Sequence, residues 1–174
     1  MTSEETLRIR SYLTAQGAKL SPDQLIGKVQ EAMAKLREAA AAVPPARFAE
    51  PPAPGEWSAN EVMAHVVEAG RHFSAALVRI LDGQPPGEPR DVAARDTSPR
   101  PLEEWWGMLD RDRQALFQRV RSAPPMARLE ATIPHPFFGA LNWRETLLFM
   151  RLHDLDHAGQ LQKIAAALAV GHPA

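Results

Sequence analysis

The stretch Asn142–Val170, NWRETLLFMRLHDLDHAGQLQKIAAALAV, decides the reading of this chain. It contains no proline, and Trp143, Leu147, Met150, His157, Leu161, Ile164 and Leu168 follow one another in steps of three, four and seven. That is the period of a single buried helix face. Asn142 is a natural N-cap and Gly171 a natural C′ residue. His153 lies between Met150 and His157 on the same face. Residues four apart on an α-helix differ by about 40° in direction and about 6 Å in height, so both imidazoles can reach one point.

Outward from this helix, proline sets the divisions. Most of the 16 prolines fall at 44–54, 85–101 and 124–136, with proline-free stretches of helical length between them. This predicts four main helices joined by long, stiff loops. The first opens at Ser21, an N-cap followed by Pro22, and buries Ile26, Val29, Met33, Leu36, Ala40 and Val43 before Pro44-Pro45 stops it. The second covers about 59–81 and the third about 101–122, the latter with Leu102, Trp105 or Trp106, Leu109, Leu116 and Val120 on its inner face. Asp110, Arg111, Asp112 and Arg113 read as its solvated face. The connection 82–100 is too long for a tight hairpin and has the length to run back along the bundle, which would leave the second and third helices parallel. The loop 123–141 carries His135 between Pro134 and Pro136, where it reads first as a surface residue and second as a substrate contact. The expected fold is all-α, a four-helix bundle with long Pro-rich loops. Residues 21–174 form the bundle domain, and residues 1–20 are an N-terminal extension, either a short helix ended by Gly17 or a mobile arm.

Composition narrows the function. The 174 residues hold 20 Lys and Arg against 21 Asp and Glu, and no cysteine. Near-neutral charge without a basic block points away from nucleic acid. The lack of cysteine excludes disulfides and thiolate ligands, so a nucleophilic thiol would have to come from a substrate. No apolar run is long enough to span a bilayer, and the N-terminal residues lack a signal-peptide h-region. The expectation is a cytoplasmic protein with no membrane partner, in which exposed Leu, Phe and Trp residues near the loops permit a homodimer.

A third histidine joins the pair. Ser58 and Glu61 are spaced as a capping box, with Trp57 and Val62 as a hydrophobic staple, so the start of the second helix is well marked. Its inward stripe is Val62, His65, Ala69, Phe73, Ala76 and Ile80. His65 thus stands where an apolar residue is expected. His72 lies about 10 Å further along the axis, out of reach unless the helices cross unusually. One histidine on an apolar face is ordinarily a hydrogen-bonded structural residue. Three on facing stripes need a common partner, because a buried imidazole is costly unless both nitrogens are satisfied. A divalent metal fits: His65, His153 and His157 are the candidate ligands, backed by Glu61, Glu68, Asp154, Asp156 or Gln160 through their other nitrogens. Spacing alone is weak, since HxxxH without its Glu is not the HExxH protease motif.

The segments Trp57-Ser58…Glu61…His65 and His153-Asp154-Leu155-Asp156-His157-Ala158-Gly159-Gln160-Leu161 resemble the DinB/YfiT-like family. The resemblance spans about 21–170. It implies a helical bundle in up-down-down-up order and a divalent metal held by His65, His153 and His157. The first 20 residues and the Pro-rich loop before Trp57 depart from shorter members and bear on access to the site. Relatives of this kind include thiol-dependent transferases and isomerases. The resemblance therefore implies transfer of a low-molecular-weight thiol to a small electrophile, with no catalytic side chain assigned. His135, Arg144 and the Trp105-Trp106 pair are candidate pocket residues. Imidazole ligands suit Zn, Ni or Fe, so the metal is not specified. Hydrolysis, with Glu61, Glu68 or Asp154 as base, is the second reading. A non-catalytic metal- or ligand-binding bundle and a purely structural dimeric bundle are the others.

Overall fold

The computed structural model describes residues 2–88 and 98–170. Five α-helices dominate: α1 (Ser3–Lys19), α2 (Pro22–Ala41), α3 (Ala59–Leu81), α4 (Leu102–Arg121) and α5 (Trp143–Val170). The four bundle helices match the expected ones closely. Gly171 and residues 89–97 of the expected long connection lie outside the described residues.

Local chemistry sets the helix starts. Thr2 with Glu5, Ser21 with Gln24 and Ser58 with Glu61 each form a complete capping box. Asn142 caps α5, its Oδ1 accepting from the N–H groups of Arg144 and Glu145 at 3.0 and 3.1 Å, while Glu145 Oε2 accepts from Asn142 N–H. Each cap satisfies amides that would otherwise have no intrahelical partner.

The packing order differs from the chain order. α2 lies against α5 and α4, and α3 lies against the same two helices. Consecutive α2 and α3 are therefore diagonal, as are α4 and α5. α3 and α4 run side by side in the same direction. At their N-termini Asn60 Oδ1 accepts from Trp105 Nε1–H at 2.8 Å and from the Arg100 amide at 3.0 Å. At their C-termini Arg119 reaches Asp82. α2 and α5 also share a direction: Arg144 bonds the Leu20 carbonyl at one end, and Arg47 bonds the Leu168 carbonyl at the other. α3 and α5 are antiparallel, with Phe73 on Phe149 and, nearer the α3 start, His65 on His157.

Within the N-terminal extension, Ser3–Lys19 form the helix α1, packed on α5. Gly17 does not end it. It is buried where α1 crosses α5, and a Cβ there would sit 3.2 Å from Glu145 Cγ. Arg144 Nε donates to the Gly17 carbonyl at 2.7 Å, and Glu145 takes Arg10 at 3.1 Å and Thr14 at 3.0 Å. Arg144 therefore fastens α1 to α5 and is not a pocket residue. The loop 123–141 also holds structure that the sequence reading lacks, a small antiparallel hairpin pairing Ile133–His135 (β1) with Gly139–Leu141 (β2). Strands this short carry no usable periodicity. Gly139, at φ +71°, supplies the left-handed residue that closes the turn.

The core joins the expected stripes. Ile26, Val29, Leu36, Val62, Ile80, Leu109, Leu116, Trp143, Leu147 and Leu161 are all 1% exposed or less. Trp105 is buried with its N–H on Asn60, and Trp106 packs under Arg37, so neither tryptophan lines the histidine site. Asn60 is the clamp between α3 and α4. Asn60→Ala should strand the buried Trp105 N–H and cost about 2–3 kcal/mol. The measurement is a urea midpoint at constant m-value, and a loss under about 0.5 kcal/mol would contradict the clamp.

Candidate metal centre

His65 on α3 and His153 and His157 on α5 converge. One nitrogen from each ring lies within 4.8 Å of the others, and His65 Nε2 is 3.1 Å from His153 Nε2. Ring centroids are 4.4–5.1 Å apart. Two nitrogens each 2.0–2.1 Å from one tetrahedral ion would stand about 3.3 Å apart. The spacing present is therefore close to that of a shared ion, and it also suits a direct His–His hydrogen bond.

The surroundings fit ligation. Gln160 Oε1 accepts from His157 Nδ1 at 2.9 Å. That bond holds the proton on Nδ1 and leaves the Nε2 lone pair available. Burial, and then the positive charge of a protonated His153, push the His157 pKa down; the Gln160 bond and the carboxylates Asp156 and Asp154 offset this in part. A neutral imidazole is the form that binds a metal. Trp57 stands edge-on to His65 at 5.3 Å, a wall that the sequence shows only as a staple residue.

Among the other candidates for supporting roles, Glu61 is engaged in its capping box. Glu68 pairs with Arg71 on an exposed face. Asp156 is exposed. Asp154 is fully buried, but its partner is Arg113, whose Nη2 lies 3.0 and 3.1 Å from the two carboxylate oxygens. His153 Nδ1 is 3.9 Å from Asp154 Oδ1, too far for a hydrogen bond. Arg113 is 1% exposed, which corrects its assignment to a solvated face. Its signal was present: it stands four residues after Leu109 and three before Leu116, on the buried stripe. The stripe of α5 likewise runs through Asp154, four residues after Met150, and His153 flanks it half-buried.

His72 packs on Phe73 and is outside the cluster. His135 is half-buried beside the site, not on the surface. Its ring stacks on Phe138 at 4.7 Å and meets the edge of Phe149 at 4.3 Å. With His153, Phe137, Phe138, Phe149 and Leu152 it lines an open cavity of about 650 Å³. Burial, then the His153 charge, lower its pKa from 6.5 to about 4.

These shifts fix the sign of an acid response. His135 and His157 are held below the ordinary imidazole value of 6.5 when folded. They favour the folded state above that value, and the stabilisation is lost as pH falls through their folded values. Metal-free protein should keep a constant Tm above about pH 6.5 and lose it progressively toward pH 4, with a shallower slope in His135→Phe. Equal slopes in thermal scans across that range would contradict the assignment for His135.

Comparisons with known proteins agree with this architecture. The chain matches the solved four-helix bundle protein TT2238 with 26% identity and a TM-score of 0.62, over 82% of this chain and 99% of that one. It also matches YfiT from Bacillus subtilis, described as a "probable metal-dependent hydrolase with an unusual four-helix bundle topology". There the identity is 16% and the TM-score 0.70, over 85% of this chain and 87% of that one, a likeness of fold. No curated protein matches the chain. The DinB superfamily profile matches residues 28–161, a span that holds all three clustered histidines, and the chain belongs to that superfamily.

Proposed function

We propose that His65, His153 and His157 hold a divalent metal, and that the chain is a metal-dependent enzyme acting on a small molecule bound beside His153. The convergence of three imidazoles from two antiparallel helices, one of them, His153, in the wall of a largely apolar cavity, carries this reading. Three protein nitrogens leave a coordination position for water or substrate, unlike a closed structural site. A bound divalent ion would supply Lewis acidity, drawing a thiol or water toward its deprotonated form.

The residues of the chain do the rest. Gln160 orients His157, and Trp57 and Phe149 limit water on two sides of the imidazoles. Asp156 is exposed on the cavity wall, but the three carboxylates weighed as general bases are committed elsewhere: Asp154 to Arg113, Glu61 to its cap and Glu68 to Arg71. This favours a nucleophile that needs no separate base, and supports transfer of a low-molecular-weight thiol to a small electrophile as the first reading. Hydrolysis is the second, favoured by the description of Bacillus subtilis YfiT. Among the described residues no helix is long and apolar enough to cross a membrane, which is consistent with the cytoplasmic setting we infer.

Two measurements test this. Zinc, nickel and iron content after loading and desalting should approach one ion per chain, and fall at least tenfold in His65→Ala, His153→Ala and His157→Ala. Gln160→Leu should weaken binding by about 10–100-fold in chelator competition. Undiminished metal in all three alanine variants would remove the site. The loaded protein should then turn over electrophiles only when a thiol is added. Turnover of esters or amides without thiol would replace transfer by hydrolysis.

A further inference from the structure

The open cavity beside His153 has a composition of its own. Phe137, Phe138, Phe149, Leu152 and Ile9 give it apolar walls, and its charged lining residues are two acids, Glu5 and Asp156. Its walls come from α1, the β1–β2 hairpin and α5. α1 precedes the region matched by the family profile.

One polar group in this cavity has a fixed role. The backbone N–H groups of Phe137 and Phe138 both donate to His135 Nδ1, at 3.2 and 3.3 Å. A ring nitrogen that accepts from two amides carries no proton, so the proton of the neutral ring is on Nε2. Nε2–H is then the polar group this ring has left to offer, and it can only donate. Stacking on Phe138 and edge contact with Phe149 hold the ring in place, and the hairpin turn that supplies the amides is closed by Gly139.

We propose that this cavity is the substrate subsite, taking a neutral or cationic molecule with a planar aromatic group whose carbonyl-type oxygen accepts a hydrogen bond from His135 Nε2–H. The proposal deepens the metal-enzyme reading and rests on it, because His153 lines the cavity. The aromatic walls favour a flat ring through offset and edge contacts. A group built only to donate selects an acceptor and leaves an apolar isostere unpaired. Glu5 and Asp156 disfavour a carboxylate at the rim. His135 is a substrate-binding residue here, and its ring carries no proton to or from the reaction.

The test uses the full chain, metal-free and zinc-loaded, with indole-3-acetamide and indole-3-acetate as probes. Long-range proton–nitrogen spectra at pH 7 should show His135 protonated at Nε2 and bare at Nδ1; the opposite tautomer overturns the donor assignment. The amide should bind in both forms with shifts at Phe137, Phe138 and Phe149, and at least fivefold more tightly than the acetate in the metal-free form. His135→Phe keeps a ring and removes the donor. It should weaken the amide about fivefold and leave zinc affinity unchanged, and Phe149→Leu should weaken both probes. If zinc binds but neither probe shifts the cavity resonances, the subsite is wrong and the metal site stands. If the amide binds but zinc does not, the metal reading fails and takes the substrate role of the cavity with it, while the hydrogen bond from His135 stands as a binding contact only.

Discussion

Arg113 and Asp154 form an ion pair with side chains 1% and 0% exposed, and it joins the diagonal helices α4 and α5 through the middle of the bundle. Removing two charges from water costs several kcal/mol per ion, and their mutual attraction offsets this only when the geometry is good. The guanidinium passes against Gly70 of α3, whose missing side chain leaves room beside it: a Cβ there would already be in contact with Arg113 at 3.6 Å. Asp154 follows His153 directly and precedes His157 by one turn. Holding Asp154 toward the bundle axis therefore sets the rotation of α5. That rotation places one imidazole partly exposed beside the cavity and the other deep in the seam. The cluster thus depends on a contact that includes none of its own members.

The directions of the helices have a similar effect on the loops. Consecutive helices that run in the same direction, as α3 and α4 do, cannot be joined by a short turn. The chain must first travel back the length of a helix, roughly 30 Å for twenty residues. A long connection between α3 and α4 is therefore a geometric requirement of this bundle. Proline suits it, because it reduces the freedom of a connection that has to be long. The hairpin lies in a different connection, between the antiparallel diagonal helices α4 and α5, and forms a cavity wall there.

Much of this was legible in the sequence. Proline placement and the three-and-four spacing of apolar residues gave the bundle helices almost to the residue, with capping residues marking the starts of α2, α3 and α5 and Pro101 that of α4. The three histidines were legible as polar residues on apolar stripes. The same rule applied to Arg113 would have found the buried pair, but its neighbours Asp110, Arg111 and Asp112 made it look like part of a charged face. The stripe position, not the local charge density, was the better guide. What the sequence could not give was tertiary. The capture of His135 by two backbone amides depends on the turn that Gly139 closes, and the seating of α1 depends on a close approach at Gly17. Arg144 and the tryptophans were plausible pocket residues by type alone, and the bonds of Arg144 to the Gly17 carbonyl and of Trp105 to Asn60, with Arg37 over Trp106, place them elsewhere.

The separation of neighbours along the chain bears on how the protein is made. His65 and His153 are 88 residues apart, and the contacts tying the ends of α2 to α5 span 121 and 124 residues. Bundles built from such distant pairings fold more slowly than those built from adjacent hairpins. During translation α1 to α4 leave the ribosome before the helix that both α1 and α2 need as a neighbour. A nascent chain at that stage offers one imidazole of the cluster, His65, and the three come together only when α5 has seated. Ion capture at the cluster would then report that folding is finished, and half-made chains would not compete for the metal.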